Sequence, residues 1–385
     1  LSYDGWNETL YKPEDIKGKS GFRILNDGRV VSELTADIHS EKGMICIDCH
    51  TSYEIMGDGT HHLHKEEQVK IQCTDCHFTS EPITIEYNSF DFESSKIAEL
   101  DKFMDINRNY LIISMSKYPI VNSFYTDRKA FLIKKASGQI SEMKLPLKVC
   151  SAGTVHKNLS CNTCHSSWSP QCIGCHTEYD KNGAMFDLLS NKESNGEWIE
   201  HPKDFLAQPA TLGVREIVEN GKKKNSIEEF IPGMVLTIDK NVESGSKPIF
   251  RRLYAPGFSH TIRRESRSCI SCHISPLAIG YGRGRLEFKI AGKSGRWIFT
   301  PEYPKSKFDG LPEDAWTGFM KERGYNSTTR DNTRPFTIKE QQRILLVGTC
   351  LTCHKQESEI MMNSLIDFNS VLFKRSAMCI APKWN

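Results

Sequence analysis

Between residues 82 and 148 the apolar positions fall in short alternating runs. "ITIEY", "NYLIISM", "KAFLIKK" and "ISEMKL" are rich in β-branched and aromatic side chains, a pattern that predicts short strands. "ASGQ", between the last two runs, supplies a hairpin turn. The same texture returns at "GMVLTID", "IFRRLY" and "RLEFKI" within residues 181–300. Near the C-terminus the period changes: Met361, Leu365, Phe368 and Leu372 recur at helical spacing, which predicts an amphipathic helix. No run of apolar residues is long enough to span a bilayer.

Composition alters this picture in one respect. Only 38% of the 385 residues are hydrophobic and the mean hydropathy is −0.46, a thin supply for a core of this size. The missing apolar surface has a candidate source in a five-residue word, Cys-x-x-Cys-His, that occurs six times. The copies are Cys46-Cys49-His50, Cys73-Cys76-His77, Cys161-Cys164-His165, Cys172-Cys175-His176, Cys269-Cys272-His273 and Cys350-Cys353-His354. Tetrahedral zinc uses Cys-x-x-Cys pairs but does not demand a histidine after the second cysteine. A thioredoxin-like dithiol needs one motif in a βαβ setting. Covalent c-type haem demands the whole word, two thiols for the porphyrin vinyl groups and the adjacent imidazole for the iron. Histidine is 13 of 385 residues, so its placement after all six pairs by chance is on the order of one in a billion.

On these six motifs the chain resembles the multihaem c-type cytochromes, both soluble periplasmic carriers and filament-forming extracellular cytochromes. The resemblance implies six haem c cofactors, covalent attachment outside the cytoplasm, and a haem-centred, loop-rich fold with short helices and β-hairpin inserts. Grouping the motifs gives residues 1–80 with haems 1 and 2, a β-rich insert at 81–148, the haem 3/4 pair at 149–180, a mixed β region with haem 5 at 181–300, and a helical segment with haem 6 at 301–385. A start at Leu1 fits a mature chain whose leader has been removed. The formal charge of +2 describes the apoprotein. Ionised propionates would take the holoprotein to roughly −4 oxidised and roughly −10 reduced, which argues against a nucleic-acid partner.

With His50, His77, His165, His176, His273 and His354 as proximal ligands, seven histidines remain: His39, His61, His62, His64, His156, His201 and His260. His39, His64, His156 and His260 each lie shortly upstream of a motif and are candidate distal ligands. One of His61 and His62 joins them, with His62 taken forward, and His201 completes the set. No free histidine lies between His273 and His354, so haem 6 must draw its distal ligand from far away in sequence or from another subunit. Bis-histidine ligation leaves the iron no open position.

Seven arginines surround the fifth motif in sequence: Arg251, Arg252, Arg263, Arg264, Arg267, Arg283 and Arg285. Two or three are expected to pair with propionates, whose carboxylates match the planar guanidinium. Lys222, Lys223 and Lys224 read as a solvated loop, and "GYGRGR" at 280–285 as a tight turn rather than a nucleotide site. Cys150 and Cys379 are left over, an even remainder that suggests a disulfide in an oxidising compartment.

Two classes of function are open. In the first, the haems pass electrons to redox protein partners or a terminal acceptor, as a periplasmic shuttle or as a head-to-tail filament. In the filament a histidine of "HHLH" in the next subunit completes haem 6; in the shuttle His201 folds back onto it. In the second, a five-coordinate haem reduces or oxidises a small nitrogen or sulfur oxyanion. The nitrite-reducing pentahaem family marks its active haem with lysine in place of the motif histidine, and no motif here carries that change. The octahaem hydroxylamine and tetrathionate families have more motifs than this chain. Both departures favour electron transfer.

Overall fold

The structure, a computed structural model, describes residues 12–14, 16–147, 150, 155–219, 221–241, 247–323 and 327–384. The chain divides into two compact units, residues 37–153 and residues 1–36 with 154–385. The β-rich insert therefore belongs with the first two motifs, and the N-terminal segment belongs with the rest of the chain. In that segment β1 (Phe22–Ile24) and β2 (Val30–Ser32) form an antiparallel hairpin.

In the smaller unit β3 (Thr84–Glu86), β4 (Asn109–Leu111), β5 (Ser123–Thr126), β6 (Lys129–Ile133) and β7 (Ile140–Glu142) pair antiparallel in chain order. All four predicted runs contain a strand. Along β6, Ala130 and Leu132 alternate inward, as the period of two requires. They meet Leu111, Ile113, Ile120 and Met143 in a core on which Cys76 packs. The turn at "ASGQ" closes when the N–H groups of Ser137 and Gly138 both donate to the Lys134 carbonyl.

The larger unit is organised by a six-stranded sheet, one hairpin and one two-stranded pair of non-consecutive strands. Its strands are β8 (Ser169–Ile173), β9 (Cys175–Asp187), β10 (Lys192–His201), β11 (Asp204–Gln208), β12 (Thr211–Glu219), β13 (Lys222–Asp239), β14 (Ile249–Pro256), β15 (Gly284–Ala291), β16 (Ser294–Pro301) and β17 (Thr333–Arg334). The main sheet runs β10-β9-β13-β12-β17, with β14 also on β13. Only the β9–β13 pairing is parallel. Leu212, Val214, Ile279, Tyr281, Trp297 and Leu345 form the core between sheet and helices.

Two expectations change here. Lys222–Lys224 are not a loop: they begin β13, opposite Ile217–Glu219, with Lys223 2.7 Å from Glu216. The C-terminal amphipathic helix is two short helices, Glu359–Ser364 and Phe368–Phe373, because Asp367 caps the second one. Met361 and Phe368 are nevertheless the buried positions. The architecture is mixed and sheet-rich, and among the described residues no helix is long and apolar enough to cross a membrane.

Candidate functional site

The spacing Cys-x-x-Cys-His places its three functional residues at i, i+3 and i+4, one stripe of a helix. The chain realises that stripe as single helical turns at Cys46–Cys49, Cys73–Cys76, Cys161–His165 and Ile270–His273. The sixth motif continues the end of the helix Ile338–Leu351. The histidine N–H closes the turn on the first cysteine carbonyl at His50, His77, His273 and His354, at 3.0, 2.8, 2.9 and 2.9 Å. The fourth motif departs from this form: Cys172 lies in β8 and His176 in β9. Gly174 between them has φ of 77°, a left-handed bend that glycine adopts without strain.

Four proximal rings are oriented by oxygen acceptors at Nδ1. His77 meets the Lys144 carbonyl at 2.5 Å, His165 that of Arg263 at 3.1 Å and His273 that of Ile344 at 3.0 Å. His50 meets a carboxylate instead, Glu54 Oε2 at 3.0 Å. A carbonyl or carboxylate can only accept, so Nδ1 carries the proton and Nε2 keeps its lone pair, the arrangement of a metal-ligating imidazole. Burial of Glu54 opposes its ionisation, but hydrogen bonds from His50 and the Lys70 and Ile71 N–H groups hold its carboxyl below the usual range.

Three other imidazoles lie beside motif histidines. The ring centroids of His39 and His77 lie 6.1 Å apart, those of His156 and His273 6.1 Å, and those of His176 and His201 5.9 Å. Two opposed imidazoles, each about 2.0 Å from a shared metal, place their centroids about 6.2 Å apart. The first pair fits best: His39 also gives Nδ1 to a carboxylate, Asp37 Oδ1 at 3.0 Å, so both rings keep Nε2 available. In the second pair His273 is oriented by Ile344, and burial depresses its pKa to about 4, keeping the ring neutral as ligation requires. The third pair is a direct cross-strand partnership, His201 opposite His176. There Glu178 approaches both Nε2 atoms, at 3.2 and 3.7 Å, and would have to swing aside for a metal. Among the described residues no three or more His, Cys, Asp or Glu side chains gather into a chelating cluster.

The other candidates are placed differently. His62 directs Nε2 at Asp58 at 3.0 Å, His61 is exposed, and His64 caps the helix Lys65–Gln68 through its backbone. His260 is exposed. His201 stands against His176. Cys150 and Cys379 are exposed free thiols, one in each unit. Burial raises the pKa of the motif thiols of Cys49 and Cys76 to about 11 and about 12. A nucleophilic redox dithiol needs the opposite direction.

The arginines separate by role. Arg252 is fully buried and bound to Asp309 at 2.8 Å and to the Glu313 and Ala315 carbonyls, while Arg283 pairs with Glu302 and Arg285 with Glu287. Arg263 and Arg267 belong to the third motif, not the fifth: the Arg263 N–H donates to His165 and the Arg267 N–H to Cys164, both at 2.8 Å.

Sequence reasoning overlooked the acidic residues that hold the motifs. Asp48 accepts from the N–H groups of Ile45 and Lys135, both at 2.8 Å. Asp75 accepts from Gln72 at 2.8 Å and Ser114 at 3.0 Å. Each thus caps its own helical turn and ties it to the sheet. The signal was the aspartate shared by "CIDCH" and "CTDCH", and a glutamate four residues after His50. No family model, curated protein or solved structure matches the chain.

Proposed function

We propose that this protein is a hexahaem c-type cytochrome that transfers electrons outside the cytoplasm. The observation that carries the reading is the His39–His77 pair, with centroids 6.1 Å apart and both Nδ1 atoms given to oxygen acceptors. Cys73 and Cys76 would attach that haem, and His77 and His39 would hold its iron. On centroid distance alone, His273 and His156 would serve the haem on Cys269 and Cys272, and His176 and His201, once Glu178 moves aside, the haem on Cys172 and Cys175. A bound haem supplies reversible one-electron chemistry. Oxygen acceptors fix the tautomer at His39, His50, His77, His165 and His273 and hold those rings, which would leave Nε2 for the metal.

The mass of the denatured protein tests attachment: six haem increments are expected, and any other number sinks the assignment. Electron paramagnetic resonance of the native oxidised protein should be low-spin throughout, and cyanide or nitrite should leave the visible spectra unchanged. A substantial high-spin signal that responds to either ligand would turn the proposal toward oxyanion chemistry.

Assembly forms part of this proposal. With His201 placed opposite His176, the second ligand of haem 6 comes from elsewhere, and the "HHLH" segment of another subunit is our candidate. A head-to-tail contact of this kind does not close, and so it builds a filament. Electron microscopy of the native protein should show filaments. Discrete single-chain particles at all concentrations would eliminate them and leave a soluble carrier for redox protein partners.

A further inference from the structure

The third motif is flanked by buried cationic donors that no protein group satisfies. Arg263 Nε and both terminal nitrogens of Arg267 are buried and make no hydrogen bond. Leaving a desolvated guanidinium unpaired is costly, so such a group points to an anion that the protein does not itself supply. Glu229 is the neighbouring acid, but it makes no hydrogen bond to these three nitrogens. Its two carboxyl oxygens accept instead from the hydroxyls of Ser166 and Ser259. Burial pushes its pKa up to about 7 against the pull of Arg267.

The placement of these donors identifies their ligand. Backbone bonds from Arg263 to His165 and from Arg267 to Cys164, with the His165 ring donating to the Arg263 carbonyl, fix both arginines to the motif itself. We propose that Arg263 and Arg267 form a carboxylate-binding site for the propionates of the haem carried by Cys161 and Cys164. The paired terminal nitrogens of Arg267 suit a bidentate carboxylate, and Arg263 Nε adds a third donor. This inference rests on the cytochrome reading and deepens it. A free small oxyanion offers the same chemistry as a propionate, and the test separates the two.

The test uses the full-length holoprotein, with Arg267→Leu, Arg263→Leu and the charge-conserving Arg267→Lys. Denatured masses first count the haems: a number other than six refutes the cytochrome reading itself. With six present, potentiometric titration resolved haem by haem should show one midpoint lowered in each leucine variant, because removing a buried positive charge disfavours the added electron. That midpoint should stay close to wild type in Arg267→Lys, and the other five should not move. Six unmoved midpoints in both leucine variants overturn the proposal. In the second arm, wild-type protein is titrated with phosphate and sulfate by calorimetry. No saturable binding is expected. Saturable binding that disappears in Arg267→Leu would give the site to a free oxyanion and overturn the propionate assignment.

Discussion

The two units hold their motifs by different physics. In residues 37–153 the motif turns are fastened by buried carboxylates, Asp48 and Asp75, which reach main-chain donors near the strands β6 and β4. In the larger unit the middle residues of the motifs carry no charge: Asn162-Thr163, Ile173-Gly174, Ile270-Ser271 and Leu351-Thr352. There the third motif docks on β13 through neutral bonds, with the Ser160 N–H and the Thr163 hydroxyl both reaching the Ile227 carbonyl at 3.0 Å. The fifth and sixth motifs are joined by close helix packing. At Gly348 an added Cβ would come within 2.5 Å of the His273 carbonyl oxygen. A small β-sheet with a limited apolar core can position a ligand precursor if charged acceptors bind its backbone donors. A larger core does the same work by shape.

The same division reaches the imidazoles. His50 and His39 of the smaller unit give Nδ1 to the carboxylates of Glu54 and Asp37, although His77 there gives it to the Lys144 carbonyl, whereas His165 and His273 of the larger unit give it only to neutral carbonyls. A carboxylate partner makes the imidazole a stronger donor to its metal, which favours the oxidised state.

The comparison can be broken most severely at Asp48. Asp48→Ala removes the buried acceptor of two part-buried N–H groups and should cost the smaller unit about 2 to 4 kcal/mol. Thr163→Val in the larger unit should cost about 1 kcal/mol. Hydrogen exchange, followed separately over residues 109–142 and 211–239, reads each unit by itself; equal losses would erase the contrast. Next is the pH dependence of the larger unit. Burial raises the Asp314 carboxyl from 3.8 to about 6. The folded state therefore holds this proton more tightly than the unfolded chain, and stability falls as pH rises from near 4 to near 6. Asp314→Asn should flatten that fall, a gain of at most about 3 kcal/mol above pH 6, measured by denaturant titration across pH. Gly348→Ala should cost about 1 to 3 kcal/mol through overpacking and loosen the His273 ring. Thermal unfolding with exchange over 338–351 checks it, and an unchanged profile would refute the close-packing argument. The smallest effect on stability, and the sharpest on redox tuning, is expected from Glu54→Gln. It should raise the midpoint of the haem on Cys46 and Cys49 while the haems of the larger unit stay fixed, as haem-resolved potentiometry would show.

Much of this organisation was legible in the chain. The motif histidines, four of the insert's five strands (all but Ser123–Thr126) and its "ASGQ" turn follow from local chemistry and from a period of two, and each needs only residues close in sequence. The pairing of His39 with His77 and of His156 with His273 was not legible at that level. Those residues are 38 and 117 positions apart, and an upstream histidine looks the same whether it meets a ring or, as His62 does, a surface aspartate. The arginines misled for the same reason: Arg263 and Arg267 precede Cys269 closely in sequence, but a bridge between Ser166 and Ile262 delivers them to the third motif.

The sequence by itself determined the chemistry available to this protein: six sets of two thiols and one imidazole at helical spacing, six turns able to present them, and a shortage of apolar residues that haem would relieve. Tertiary structure alone decided which second imidazole lies beside which motif imidazole, which ring nitrogens are given to oxygen acceptors, and where buried guanidinium nitrogens of Arg263 and Arg267 are left without a protein partner. Spacing along the chain encodes contacts within one turn or one hairpin. Ligand opposition and desolvation depend on which distant segments the fold brings together.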